Sequence, residues 1–289
     1  MQISKITHNS SKYPDLLREI AHPPKQLFML GELPEGPYVA IVGSRAMTDY
    51  GKQVTFQLAG DLARAGCVIV SGLAYGIDAI AHQATVEAGG KAVAVLAHGL
   101  DQIYPVANRT LAKKILAGGG ALVSEYEVGV EAFKSNFVAR NRIIAGLSKA
   151  IIVTEANAES GSLITANFGL EENRLVMAVP GNITSPRSAG PNNLLKKGAV
   201  PVTDSSDVLP LLDLPELKTA TVKARSKEEA TLLELLGQGV NSSEALIDQS
   251  GLSAAQFANI ITLMEITGKV RNLGAGQWVS RSEPLTKRK

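Results

Sequence analysis

The 289-residue sequence contains few residues of the kinds that carry redox, metal or membrane chemistry. It has one cysteine and four histidines, and no apolar run approaches the roughly 20 residues that cross a bilayer. Cys67 lies in an apolar stretch without a second cysteine, so we expect a buried thiol that forms no intramolecular disulfide. The histidines lack metal-ligand spacing, and we therefore expect no metal site.

Aromatic residues and net charge are also scarce, at 4% of the chain and +2. A nearly neutral chain binds nucleic acid only where its basic residues are concentrated locally. Apolar residues make up 45% and charged residues 19%, which is typical of a soluble globular protein. The N-terminus lacks a basic region followed by an apolar core, so we expect a cytoplasmic location and no membrane contact.

The middle of the chain alternates apolar, strand-like runs with helical stretches. This alternation indicates an α/β domain over 38–213, built on a parallel sheet with helices on both faces. Residues 1–37 are proline-rich and predict a lead-in segment that packs on this domain. The predicted strands are 38–43, 67–71, 91–96, 121–124, 150–154 and 175–179, with helices at 51–65 and 77–88 and an edge strand at 199–203.

A second, smaller domain follows a linker predicted at 214–226. Three helices at 228–236, 243–247 and 254–267, followed by a hairpin at 270–279, indicate a winged-helix domain over 227–281. The basic residues 282–289 predict a disordered tail.

Three glycine-bearing turns each follow a predicted strand: 43–45, 71–76 and 160–162. Ligands bind at the carboxyl ends of parallel strands, where glycine lets backbone amides approach a phosphate. The three turns together therefore predict one anion-binding site. The alternative is that they are ordinary short connections between strands and helices.

The first turn, Gly43-Ser44-Arg45, has neither the G-x-G-x-x-G dinucleotide fingerprint nor a Walker A motif. We expect no nucleotide cofactor there. Arg45 offers a fork of donors suited to a phosphate, although a surface salt bridge is the alternative. At the third turn Ser160, Gly161 and Ser162 open a helix, and Thr165 adds a hydroxyl one turn on or serves only as a cap.

Two arginines sit in one predicted helix that starts near Phe137. Arg140 and Arg142 point about 200° apart, so they cannot both face one ligand from a regular helix. Arg140 shares its side with apolar residues, which favours a partly buried pairing role and leaves Arg142 freer. Lys134 and Arg109 extend a candidate basic track, or are solvated surface charges.

No catalytic apparatus emerges from the motifs. A G-x-S-x-G nucleophile elbow is absent. Asp78 and His82, four residues apart on one helix, predict a hydrogen-bonded pair whose role is structural rather than acid–base catalysis. Glu125 and Glu155 follow strands and could reach the anion site, but they form no carboxylate pair of defined spacing.

Taken in order, these motifs resemble those of the DNA-processing protein A family, also called Smf. The resemblance covers about residues 12–212 and is carried by Gly43-Ser44-Arg45, Ser71-Gly72-Leu73-Ala74 with Gly76-Ile77-Asp78, Gly99-Leu100-Asp101, Arg140-Asn141-Arg142, Ser160-Gly161-Ser162, Ala178-Val179-Pro180-Gly181 and Gly190-Pro191-Asn192. Val138 stands where the family usually has proline, and Ala97-His98 precedes Gly99 where a glycine is common. The C-terminal region resembles the family's small winged-helix domain.

The resemblance implies an extended Rossmann-like domain, a homodimer and single-stranded DNA binding without base specificity. It also implies protection of incoming DNA and its transfer to the RecA recombinase in natural transformation, with no catalysis. By the same resemblance, Gly43, Ser44 and Arg45 hold a phosphate. Ser160, Gly161, Ser162 and Asn192 line that pocket, and Lys134, Arg140 and Arg142 extend it electrostatically.

Two other functions remain open at this stage. A duplex-DNA regulator would read the major groove through the winged helix, but residues 227–280 carry three basic and six acidic residues, and the helix at 253–267 has no lysine or arginine. That balance favours a protein-interaction module. A Rossmann-type nucleotide hydrolase would need a P-G-G-x-G-T loop, in place of which the chain has Ser160-Gly161-Ser162-Leu163-Ile164-Thr165.

Overall fold

The computed structural model describes residues 2–215 and 224–280, together with the backbone of 219–220 and 283–284. The chain divides into two compact units at 216/217. Part of the predicted linker, 216–218 and 221–223, and most of the predicted tail lie outside the described residues. None of the described helices is both long and apolar enough to span a membrane.

The larger unit is built on one mixed sheet, in which the described residues contribute nine strands. The strands are β1 (Ser4–Thr7), β2 (Gln26–Gly31), β3 (Tyr38–Val42), β4 (Val68–Ser71), β5 (Lys91–Leu96), β6 (Ala121–Ser124), β7 (Ala150–Val153), β8 (Leu175–Ala178) and β9 (Val200–Pro201). Their order across the sheet is β1-β2-β6-β5-β4-β3-β7-β8-β9. The pairs β1–β2 and β2–β6 are antiparallel, and the remaining pairs are parallel.

The helices of this unit are α1 (Asp15–Arg18), α2 (Asp49–Arg64), α3 (Ile77–Glu87), α4 (Arg109–Ala117), α5 (Lys134–Leu147), α6 (Gly161–Glu171) and α7 (Ala189–Lys196). Helices α2 to α7 connect strands of the parallel part of the sheet, whereas α1 lies between the antiparallel strands β1 and β2. The central strands are buried along their whole length, which explains their uninterrupted apolar sequences. The sequence therefore predicted β3 to β9 to within one or two residues of the structure.

The strand order reverses at β3. One neighbour of β3 is β4, the next strand in the chain, and the other is β7, which follows more than a hundred residues later. Connections leave β3 and β7 in opposite directions along the sheet, so a crevice opens between them at their carboxyl ends. Such a switch point is where open α/β sheets bind ligands.

The lead-in segment contributes more than packing. Residues 1–37 carry β1 and β2, which extend the sheet beyond β6, although the sequence predicted no strand there. Leu17 and Ile20 are buried against Gly146 of α5, where a methyl group on the glycine would lie 2.7 Å from Leu17 Cδ1. The segment is therefore part of the sheet and also closes the core over α5.

The smaller unit has the winged-helix arrangement that its sequence predicted. It consists of β10 (Thr219–Ala220), α8 (Lys227–Gly237), α9 (Ser243–Ser250), α10 (Ala254–Ile266), β11 (Val270–Gly274), β12 (Gln277–Ser280) and β13 (Glu283–Pro284). Leu232, Leu246 and Met264 are fully buried in its core, and Trp278 of the hairpin packs edge-on against Phe257. Serine caps begin all three helices.

Two residues of the predicted tail have regular structure. Glu283–Pro284 pairs antiparallel with Thr219–Ala220. The prediction of disorder over 282–289 is therefore wrong at these two positions.

Candidate nucleic-acid interface

A cleft of about 750 Å³ lies at the carboxyl ends of β3 and β7, where the strand order reverses. The three glycine turns meet there, as the sequence predicted. Most of the predicted site residues line this cleft, namely Gly43, Ser44, Arg45, Lys134, Arg140, Ser160, Gly161, Ser162 and Thr165.

The first turn is held by two backbone hydrogen bonds of Ser44. Its amide donates to the carbonyl of Glu155 at 2.6 Å, and its carbonyl accepts from the amide of Ile77 at 3.1 Å. Gly76 lies directly beneath the turn with φ 75°, and a methyl group on it would lie 2.2 Å from the Ser44 carbonyl oxygen. Only glycine allows this approach, so the first and second turns are packed on one another.

Glu155 supports the same turn from the side. Its carboxylate is buried and accepts hydrogen bonds from the amide of Thr48, at 2.8 Å, and from the Thr48 hydroxyl. Thr48 in turn caps α2. Glu155 thus fixes the loop from β3 to α2, and its carboxylate is not among the groups that line the cleft.

The third turn places the start of α6 in the cleft. Ser160 caps this helix, and its hydroxyl lies 2.8 Å from that of Ser162. Gly161 is the first helical residue, and a methyl group on it would meet nothing within 4 Å. The uncrowded glycine leaves the first turn of α6 open to an anion, which helix amides and the helix dipole favour. Thr165 is buried one turn further in.

Arg140 forms the floor of the cleft together with Gly72 and Asp78. The residue is only 4% exposed, and its guanidinium donates to the carbonyls of Gly72, at 2.8 Å, and Val95. Asp78 accepts from the amide of Gly72 at 3.0 Å. Burial raises the pKa of Asp78 while the Arg140 charge opposes that rise, and burial lowers the pKa of Arg140 while Asp78 opposes the fall. We call Gly72, Asp78 and Arg140 the floor.

His82 does not pair with Asp78. No hydrogen bond between the two is found within residues 2–215, because the Asp78 carboxylate turns toward Gly72. The His82 ring is fully buried beneath the floor, and this burial, with a smaller contribution from Arg140, lowers its pKa to about 3. His82 is therefore a neutral core residue, and the predicted pair is wrong.

The rim of the cleft is formed by exposed cations and aromatic rings. Arg45 lies over the ring of Phe137, with 5.5 Å between its guanidinium carbon and the ring centroid. Tyr104, which is half exposed, packs against the same ring in a tilted arrangement, with 5.9 Å between the ring centroids. Lys134 opens α5 nearby and is exposed. In the described part of the chain neither Arg45 nor Lys134 has an ion-pair partner. We call Arg45, Lys134, Tyr104 and Phe137 the rim.

Three predicted site residues lie outside the lining of the cleft. Arg142 forms a salt bridge with Glu125 at 2.6 Å, so it is not the freer arginine of the helix. Asn192 pins the chain at Gly181 through hydrogen bonds to its amide and carbonyl, of 3.2 and 3.0 Å. Arg109 is exposed on α4.

Asn141 is a lining residue that the sequence reasoning overlooked. Its side-chain amide accepts from Nε of Arg140 at 3.2 Å and donates to the carbonyl of Gly161 at 3.2 Å, so it ties α5 to the start of α6. The signal that could have identified it is its position between Arg140 and Arg142, in a motif that carries the family resemblance. Among the described residues, no group of three His, Cys, Asp or Glu side chains could hold a metal ion.

The family model described as DNA recombination-mediator protein A matches residues 4–213, and the DprA winged helix domain matches residues 216–276. The chain belongs to the DNA-processing protein A (DprA/Smf) family. The matched residues include all nine strands of the sheet and the three glycine turns. They also include Asp78 and Arg140 of the floor.

Individual members of the family are similar over most of the chain. Protein Smf of Escherichia coli is 36% identical over 94% of this chain and 76% of its own length. The structure of DNA processing protein A from Streptococcus pneumoniae is 42% identical, with a TM-score of 0.69, over 73% of this chain and 75% of that one. The Helicobacter pylori protein, whose structure was described for its single-stranded DNA binding mode, is 33% identical, with a TM-score of 0.66, over 74% of this chain and 98% of its own.

Proposed function

We propose that this protein binds single-stranded DNA in the cleft, with the phosphates held at the rim and the glycine turns. The observation that carries the proposal is the pair Arg45 and Lys134. Both are exposed at a cleft, and neither has a counter-ion among the described residues. Cations without protein partners beside open backbone amides are what a polyanion recognises.

Within this proposal the buried groups hold the walls and the exposed groups contact the strand. Arg45 and Lys134 neutralise phosphates, while the hydroxyls of Ser160 and Ser162 and the first turn of α6 donate hydrogen bonds. Arg140 and Asn192 shape the site, because Nη1 and Nε of Arg140 and both polar side-chain atoms of Asn192 are already hydrogen-bonded within the protein. Arg142 supports α5 through Glu125.

Stacking contributes through few rings. Phe137 and Tyr104 form a tilted pair at the rim, and Phe133 is 58% exposed one turn earlier. A base stacked on an aromatic ring contributes about 1–3 kcal/mol. With so few aromatic residues, we expect binding without base specificity and with strong salt dependence, near −0.7 in log–log slope per neutralised phosphate.

The relatives support the proposal and suggest its biological setting. The structure of the Helicobacter pylori protein concerns single-stranded DNA binding, and the Streptococcus pneumoniae and Bacillus subtilis relatives are DNA processing proteins. We propose that this protein, as a cytoplasmic homodimer, protects incoming DNA and loads the RecA recombinase on it during transformation. We propose no catalytic role and no cofactor.

The structure offers little to a nucleotide hydrolase. Glu125 is bound to Arg142, and the Glu155 carboxylate is bound to Thr48. Glu159 lines the cleft on an exposed loop, and Asp78, the other carboxylate of the lining, accepts a hydrogen bond from the amide of Gly72. The structure also offers little to a duplex-DNA regulator. Glu265 is the one charged residue of α10, so this helix has no cation to contact a DNA phosphate.

The proposal is tested by fluorescence anisotropy with single-stranded and duplex oligonucleotides. We expect wild type to prefer the single strand, and Arg45→Ala to weaken its binding at least tenfold without changing stability. Lys12→Ala removes one exposed charge from the lead-in and is the matched control. Equal binding by Arg45→Ala and wild type would overturn the assignment of the cleft.

The recombinase and dimer proposals need separate measurements. Light scattering should give a mass near twice the 30.4 kDa of one chain. When the wild-type protein is added to single-stranded DNA, RecA filaments should form earlier than without it. The Arg45→Ala variant should not accelerate filament formation. A monomer in solution, or unchanged filament kinetics, would refute the respective proposal while leaving DNA binding intact.

A further inference from the structure

A second group of cations lies on α4, outside the cleft. Arg109, Lys113 and Lys114 are all exposed, and α4 contains no acidic residue. No ion pair involves any of the three in the part of the chain that the structure describes. By contrast Arg18, Arg64 and Arg174 all have carboxylate partners. This basic face is therefore not explained by pairing within the larger unit.

The basic face is joined to the cleft by direct contacts. Asn108, just before α4, donates to the carbonyls of Leu73 and Ala74, at 2.8 and 3.2 Å, and Ala74 lines the cleft. Tyr104 lies four residues earlier and packs on Phe137 of the rim. The exposed surface thus runs from the cleft across Tyr104 to the start of α4.

The arrangement on α4 suits an extended polyanion. Arg109 and Lys113 are one helical turn apart on the same face, which spaces them by roughly 6 Å along the axis. Arg109 stands in the first turn, where the helix dipole disfavours a cation. Stability therefore does not account for its position, whereas a bound phosphate would.

We propose that a single strand leaving the cleft passes Tyr104 and continues along α4, where Arg109 and Lys113 each neutralise a phosphate. This inference rests on the proposed function of the cleft and extends it to a longer binding site. The ligand is the same DNA strand, recognised by its backbone charge. A short oligonucleotide would occupy the cleft alone, and a longer one would also reach α4.

The test uses the double variant Arg109→Ala/Lys113→Ala with thymidine oligonucleotides of about 6 and about 20 nucleotides. The first length is near the lower end of common single-strand site sizes, about 4–16 nucleotides, and the second exceeds them. For the long oligonucleotide we expect the slope of log affinity against log salt to lose about 1.4, because each phosphate contact contributes about 0.7. For the short one we expect no change. Lys196→Ala/Lys197→Ala removes two exposed charges at the end of α7 and is the control.

The outcomes separate this inference from the function of the cleft. If the double variant matches wild type on both lengths while Arg45→Ala still loses binding, the α4 path is wrong and the cleft stands. If the double variant loses both lengths equally, α4 belongs to the primary site and the extended path is also wrong. If wild type binds neither oligonucleotide, the proposed function itself fails.

Discussion

The floor and the rim of the cleft contain the same kinds of charged groups in opposite states. On the floor, Arg140 is buried, its Nη1 donates to the carbonyls of Gly72 and Val95, and its Nε donates to Asn141. On the rim, Arg45 is exposed and lies over the face of the Phe137 ring, and it has no ion-pair partner among the residues that the structure describes. A cation already bonded within the protein has little to offer a ligand. The comparison therefore assigns shape to the floor and affinity to the rim.

Removing the floor arginine should have the largest effect on stability. Arg140→Met leaves Asp78 buried without its counter-ion, which typically costs about 3–5 kcal/mol. Because burial then raises the pKa of Asp78 further, the deficit should shrink as pH falls and the carboxylate takes up a proton. Chemical denaturation of both proteins across pH measures this. A stable Arg140→Met protein with weakened DNA binding would instead show that Arg140 contributes to affinity, as the rim residues do.

Gly76 packs against the backbone of Ser44 and Arg45, so substituting it should affect both stability and binding. Gly76→Ala places a methyl group against the Ser44 carbonyl and also strains a backbone conformation, φ 75° and ψ −128°, that only glycine adopts readily. We expect a loss of about 1–3 kcal/mol from the backbone and about 1–3 kcal/mol more from the overlap, with loss of DNA binding.

Gly89 provides the matched control for that substitution. It has φ 74°, but a methyl group there meets nothing within 4 Å. Gly89→Ala should show the cost of a positive φ without any overlap, and it should retain binding. If the two variants behave alike, the contact between Gly76 and Ser44 does not shape the cleft.

His82 makes the stability of the larger unit depend on pH. Its pKa is lowered by burial from an ordinary value of 6.5 to about 3. The unfolded chain therefore takes up a proton below about pH 6.5 that the folded chain refuses, so stability is lost as pH falls. Between pH 7 and pH 5 we expect this group to remove about 2 kcal/mol, at about 1.36 kcal/mol per pH unit. His82→Gln should flatten the acid limb of the stability curve, and an unchanged limb would show that the ring titrates normally.

Gly161 should give the smallest change in stability and the cleanest test of the rim. Its backbone is compatible with alanine, and the added methyl group would point into open space. Gly161→Ala should be as stable as wild type or gain about 0.4–1 kcal/mol, while DNA binding weakens because the methyl group keeps the phosphate from the amides of α6. Gly237→Ala, equally uncrowded in the smaller unit, is the control. Undiminished binding by Gly161→Ala would place the phosphate elsewhere.

Sequence reasoning located the parallel strands and the cleft because both depend on local patterns. Uniform apolar runs such as Ala150–Val153 mark buried strands, and glycine turns after them mark the ligand edge. The strands β1 and β2 escaped notice, since Ser4–Thr7 has no clear alternation and prolines flank the apolar run at 27–30. Their pairing with β6 is a property of the whole sheet.

The roles of the two arginines on α5 were only half predictable. The helical period correctly put Arg140 on the buried side. Arg142 was expected to be free because the helix was predicted to begin near Phe137, but α5 begins at Lys134 and Arg142 meets Glu125, seventeen residues earlier in the chain. A salt bridge between distant segments has no signature in spacing.

The position of β2 has a consequence for the newly made protein. The antiparallel pair β1–β2 leaves the ribosome before β6, against which β2 pairs, because residues 32–120 are synthesised in between. A two-stranded hairpin alone is marginally stable in water, and its apolar strand keeps an unpaired edge during that interval. The growing chain is therefore open to edge-to-edge association at β2 between the synthesis of Gly31 and that of Ser124.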